Sequence, residues 1–148
     1  MPDAPIVLLL SGPNLALLGD REPGVYGTAT LADHVATATD EAAVHGLVLE
    51  HVQGEAEADL VTAVHGARGR AAAIVANPGA LTHYGWSLHD ALAAFEGPVV
   101  ELHLSNPDAR EPWRRNSVVA PVATGMISGF GGHGYRLAVI AVAALLNG

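Results

Sequence analysis

Glu101 and His103 stand in a run, Pro98-Val99-Val100-Glu101-Leu102-His103-Leu104, that is otherwise apolar and turns polar at Ser105 and Asn106 just before Pro107. Apolar residues at successive positions fit a central strand covered on both faces, and on a strand alternate side chains share a face. The Glu101 carboxylate can then orient the His103 imidazole and hold its charge, which is what an acid-base histidine needs. A partly buried ion pair without chemistry is the alternative that this stretch leaves open. Tyr26 also attracts notice: it follows Arg21 in a stretch, residues 14–27, that carries three glycines and a proline. An aromatic plug over a cleft would explain it, and so would a base. A phenol working as a base near neutrality must ionise about three units below its reference pKa of about 10, a requirement of roughly 4 kcal/mol. A guanidinium about 4 to 5 Å away contributes on the order of 3 to 4 kcal/mol at an effective dielectric of about 20, before desolvation. One arginine is barely enough and two suffice; Arg21 and Arg110 are the candidates.

Other chemistries are removed by what the chain lacks. It has no Cys, which excludes disulfides, thiolate metal sites and cysteine nucleophiles and fits a reducing compartment. It has no Lys, so neither Schiff-base chemistry nor a phosphate-loop lysine is available. His83, His89 and Asp90 together with Glu101 and His103 show no recognised metal-ligand spacing, so no metal is expected. Ser105 beside His103 lacks the nucleophile elbow of serine hydrolases. Gly129, Gly131 and Gly134 spell G-x-G-x-x-G, but too few residues follow for the rest of a dinucleotide-binding unit. A close-packed helix entry is the reading that remains.

The elements that must position these residues follow from the periodicity. With 148 residues, half of them apolar, the chain is expected to form one domain with its own core. Strands are predicted at residues 6–10, 47–52, 71–76, 98–104 and 118–123. Helices are predicted at 31–45, where Thr30 and Asp33 form a capping pair and Gly46 a stop, then at 55–67, from 82–89 through 95, and at 132–146. Residues 14–27 are too long for a simple connection, and Leu15, Leu17 and Leu18 argue for an ordered lid. Strands alternating with helices give a flavodoxin-like three-layer α/β sandwich with five parallel strands in the order 2-1-3-4-5. Ligands bind such sheets outside the carboxyl ends of the strands, which brings Asn14, Asn77 and residues 103–106 to one crevice.

The formal net charge of -8 opposes association with nucleic acid or anionic lipid. Yet Arg21, Arg110, Arg114 and Arg115 gather beside the candidate residues, as a small anionic ligand would require. No basic and apolar leader is evident, and the apolar run at 137–146 is too short to span a bilayer, so a soluble, cytoplasmic protein is expected. A non-enzymatic binding module explains the fold equally well, but it leaves the Tyr, Arg and Glu-x-His constellation without a purpose.

Gly12-Pro13-Asn14-Leu15, Leu18-Gly19-x-Arg21-Glu22-Pro23-x-x-Tyr26-Gly27, Asn77-Pro78-Gly79-Ala80, Thr82-His83, Glu101-x-His103-x-Ser105-Asn106 and Ala109-Arg110-Glu111 occur in that order. Together they resemble the type II 3-dehydroquinate dehydratases over nearly the whole chain. The resemblance implies a lyase of the shikimate pathway that removes water from 3-dehydroquinate, giving 3-dehydroshikimate through an enolate, without metal or cofactor. It implies Tyr26 as the base, Arg21 and Arg110 as the groups that favour tyrosinate, and Asn14 as holder of a water on the enolate. His103, held by Glu101, would protonate the departing hydroxyl. Leu104 and Ser105 would take the carboxylate, Asn77, His83 and Arg114 the hydroxyls, and Asp90 would approach from a neighbouring subunit of a homododecamer built from trimers. The absence of lysine agrees, because the unrelated type I enzymes use a lysine imine. Two departures from the family pattern stand out: Gln53-Gly54-Glu55 where Gln-Ser-Asn is usual, and Gly85 and His89 where a serine and an arginine are. Both are expected to lie away from the chemistry and to bear on subunit contacts.

Overall fold

β1 (Ile6–Ser11) is buried along nearly its whole length because its aliphatic side chains leave toward both faces. Val7 and Leu9 join one apolar cluster, Leu8 and Leu10 another. The computed structural model, which describes residues 3–148, then runs through two short turns, a 3₁₀ turn at Leu15–Leu17 and a single helical turn, α1 (Pro23–Tyr26), before its first long helix, α2 (Leu31–Val44). β2 (Val48–Gln53), α3 (Glu57–Ala67), β3 (Ala73–Asn77), α4 (Trp86–Ala93), β4 (Val99–His103), β5 (Gly125–Ser128) and α5 (His133–Leu146) follow. The strands form one parallel sheet in the order β2-β1-β3-β4-β5, the flavodoxin-like arrangement that the sequence pattern predicts.

Parallel neighbours need crossovers, and the helices supply them on both faces. Small residues let α2 and α5 approach each other and the sheet, with Ala38, Ala42, Ala138 and Val142 buried between them. Leu60 and Val64 of α3 and Leu88 and Leu92 of α4 cover the other face. Among the described residues no helix is long and apolar enough to cross a membrane. Local chemistry sets the helix ends. The Asp33 amide donates to the Thr30 hydroxyl at 3.1 Å and the Thr30 amide to the Asp33 carboxylate at 2.9 Å, a reciprocal cap. The Glu57 carboxylate accepts the Leu88 amide at 2.9 Å, so α3 caps the start of α4. Gly134 fits as a close-packed helix entry, since a Cβ there would lie 2.7 Å from Leu102 Cδ1.

Two elements differ from the sequence expectation. Residues 118–123 are not the fifth strand: Ala120–Val122 form a 3₁₀ turn, and β5 starts at Gly125. Ser117 Oγ accepts the amides of Val119 (3.1 Å) and Ala120 (3.0 Å), and Pro121 has no N–H for a ladder. The valines are there because Val118 and Val119 are buried, not because they pair. The helix expected from residue 82 is also split. Gly79–His83 is a 3₁₀ turn, and α4 begins only at Trp86.

Candidate active site

Asn14 follows β1, Asn77 ends β3 and His103 ends β4, so all three meet at the carboxyl edge of the sheet. There a pocket of about 210 Å³ is lined by Asn14, Arg21, Tyr26, Asn77, His83, His103, Leu104, Ser105, Arg110 and Arg114. Glu101 lies one turn of the pleat beneath His103. Asp90 is exposed on α4 and does not line the pocket of this chain.

The Glu101 side chain is fully buried and fully engaged. His103 Nε2 donates to its Oε2 at 2.6 Å, Thr82 Oγ1 donates to the same oxygen at 2.6 Å, and Ser117 Oγ lies 3.0 Å from both oxygens. Burial pushes this carboxyl up, but the hydrogen bonds from His103, Thr82 and Ser117 and the attraction of the imidazole outweigh it and hold the group below the usual glutamate range. A buried anion is thereby kept ionised under the imidazole, with Nδ1 of His103 left to meet a ligand.

Tyr26 stands at the end of α1 under two guanidinium groups. Arg110 Nη1 donates to its phenol oxygen at 2.7 Å, and the Arg21 guanidinium carbon lies 4.8 Å from the ring centroid. Glu22 holds the pair together: its carboxylate is 3.7 Å from Arg21 Nε and 3.7 Å from Arg110 Nη2. Its backbone is left-handed (φ 35°), and its carbonyl accepts the amides of Val25 and Tyr26, which turns the tyrosine back over the pocket.

Asn77 is held from behind. Its Nδ2 donates to the Tyr135 hydroxyl at 3.2 Å, and Gly79 N–H donates to its Oδ1 at 3.4 Å. Tyr135 comes from α5, is 1 % exposed and stacks on His34 at 4.9 Å. Burial pushes its phenol up to about 12, offset in part by hydrogen bonds with Asn77 and Ser11. On the opposite wall His83 donates Nδ1–H to the Asn116 carbonyl at 2.6 Å and sits edge-on to Trp113, over which Arg114 lies at 4.1 Å. Arg114 also pairs with Glu111.

Glu22, Thr82, Ser117 and Tyr135 were not singled out for these roles from sequence, since each reaches its partner through the fold. One expectation fails outright. Gln53-Gly54-Glu55 does not lie away from the site: Asn14 N–H donates to Glu55 Oε2 at 2.8 Å and Gln53 Nε2 to the Gly12 carbonyl at 3.2 Å. The parallel register that pairs Ser11 with Gln53 puts the end of β2 beside the end of β1. Strand order alone carried that signal. The second departure is further off. A Cβ on Gly85 would lie 2.7 Å from the Leu81 carbonyl oxygen, and His89 donates Nδ1–H to the Val118 carbonyl at 2.6 Å.

Sheet and pocket define a flavodoxin-like α/β protein in which a Tyr–Arg pair and a His–Glu pair share one crevice at the strands' carboxyl edge. The family described as Dehydroquinase class II matches residues 5–143. Over 143 residues the chain is 51% identical to the 3-dehydroquinate dehydratase 2 of Pseudomonas putida, covering 97% of this chain and 96% of that one. It is 47% identical over 133 residues to the catabolic 3-dehydroquinase of Penicillium rubens, covering 90% and 86%. The crystal structure of type II dehydroquinase from Propionibacterium acnes superimposes with a TM-score of 0.91 at 39% identity, covering 97% and 98%. The chain belongs to the class II dehydroquinase family.

Proposed function

We propose that this chain removes water from 3-dehydroquinate to give 3-dehydroshikimate, with Tyr26 as base and His103 as acid. The observation that carries the reading is the Arg110 N–H on the Tyr26 phenol oxygen at 2.7 Å, in the same pocket as the His103–Glu101 pair at 2.6 Å. Arg110 at contact distance and Arg21 over the ring are two cations placed to stabilise the negative charge that such a base carries. The phenolate takes a proton from the carbon beside the substrate ketone, and the electron pair moves onto the ketone oxygen as an enolate. Asn14 holds a water against that oxygen, where a preorganised donor is worth about 3 to 4 kcal/mol. The enolate then collapses and expels the hydroxyl, which leaves as water with a proton from His103 while Glu101 stabilises the imidazolium that gives it. Return of the proton from Tyr26 to the imidazole resets both groups.

The remaining assignments follow the walls of the pocket. Leu104 and Ser105 at the end of β4 take the substrate carboxylate, and Asn77, His83 and Arg114 take the hydroxyls. Asp90, outside the pocket of its own chain, acts on that of a neighbouring copy in a trimer-based dodecamer. Growth of enone absorbance after addition of 3-dehydroquinate to chelator-treated protein tests the reading. Tyr26→Phe and His103→Ala should each lose on the order of 10² to 10⁴ in turnover. Full turnover by the Phe variant would overturn the base assignment.

A further inference from the structure

Asn14 is held in a conformation that few side chains adopt. Its φ is 68° and its ψ -3°, the left-handed region, in a segment between the 3₁₀ turn at Leu15–Leu17 and the end of β1. The backbone on both sides is pinned. The Asn14 carbonyl accepts the Leu17 amide at 3.1 Å, and the Asn14 amide, which no secondary structure would otherwise satisfy, donates to Glu55 Oε2 at 2.8 Å. Glu55 is itself braced: Gln53 Nε2 donates to its Oε1 at 2.9 Å and to the Gly12 carbonyl at 3.2 Å. The clamp therefore grips residues 12 and 14 from the end of β2, and its carboxylate is the charged acceptor in it. Hydrogen bonds from the Asn14 backbone and the Gln53 side chain hold that carboxyl below the usual glutamate range, so the acceptor stays anionic.

We propose that Glu55 is a positioning residue for the reaction: through the Asn14 amide it fixes the left-handed backbone that presents the Asn14 carboxamide to the pocket. This inference rests on the dehydratase reading and on Asn14 serving the enolate. A group that acts only on the developing oxyanion should change kcat and leave KM alone. A loop brace with a merely structural part would change thermal stability or both constants together.

The test is a double-mutant cycle with 3-dehydroquinate as substrate and melting temperature measured alongside. Glu55→Ala should lose about tenfold in kcat with KM within about twofold, the scale of one charge-assisted hydrogen bond. Glu55→Gln, which keeps an oxygen acceptor for the Asn14 amide, should retain kcat within about threefold. In an Asn14→Ala background Glu55→Ala should cost almost nothing more, because its effect passes through the side chain already removed. Additive losses in the double variant, or an unchanged kcat in Glu55→Ala, would overturn the clamp while leaving the dehydratase reading intact. A wild-type protein that does not turn over 3-dehydroquinate would overturn both.

Discussion

Glu101 is the residue on which the site's electrostatics turn. It is fully buried, and three side chains supply the hydrogen bonds that keep it charged. Because the folded carboxyl lies below the ordinary value of 4.5, the unfolded chain takes up this proton at higher pH than the native one. The contribution to stability is thus present above the unfolded value and is lost as pH falls through the folded one. Denaturant midpoints measured against pH should fall below about pH 4.5 in the wild type and fall less steeply in Glu101→Gln. The same substitution should cost on the order of 10² in turnover at neutral pH, since His103 loses the carboxylate that orients its ring. Identical acid slopes in the two proteins would show that the Glu101 carboxyl ionises in the fold as readily as in the unfolded chain. The pairing of Glu101 with His103 was legible because it is a two-residue spacing on a strand. The partners that make the charge tolerable, Thr82 and Ser117, were not, because nothing local in sequence marks a hydroxyl that points at a carboxylate in another element.

At the scale of elements, α5 does more than cover the sheet. It delivers Tyr135 to the back of Asn77, so that the last helix of the chain braces the end of β3. The Tyr135 phenol stays protonated to about 12, whereas an unfolded tyrosine releases its proton near 10.0. Between those values the native state binds more protons than the unfolded one, and stability falls as pH rises. Tyr135→Phe keeps the stack on His34 but removes the hydroxyl. Its unfolding midpoint should therefore fall less over the interval from pH 10.0 to about 12. It should also lose about 1 kcal/mol at neutral pH and raise KM severalfold as the Asn77 carboxamide loses its partner. An unchanged alkaline profile would mean that Tyr135 ionises with ordinary ease. Most elements were legible for a plain reason: β1, β3 and β4 are buried on both faces and so are written as aliphatic runs. β5 was not, because it is a short edge strand whose Gly125 and Met126 are exposed, while Val118 and Val119, ahead of the 3₁₀ turn that precedes it, are buried without pairing. Hydrophobicity reports burial, and here burial and strand pairing part company.

Across the whole molecule two charge distributions oppose each other. The chain carries a formal net charge of -8, which repels an anion, yet Arg21, Arg110 and Arg114 line the pocket that would receive it. Distance separates the two effects. The guanidinium groups act at contact range, whereas the excess acid is spread over the surface and acts through solvent. The screening length is about 30 Å at about 0.01 M salt, about 10 Å at about 0.1 M and about 3 Å at about 1 M. Adding salt from the lowest value first removes the long-range repulsion, so kcat/KM for 3-dehydroquinate should rise modestly toward about 0.1 M. Beyond that, salt weakens the pairing within the pocket and kcat/KM should fall, while kcat, measured with the pocket already filled, stays nearly level. Arg114→Gln should flatten the falling limb and leave the rising one in place, because it removes a local cation from a surface that remains strongly acidic. A curve that only rises would mean that the pocket arginines do not hold the substrate's charge; one that only falls would mean that the excess acid never reaches the incoming anion.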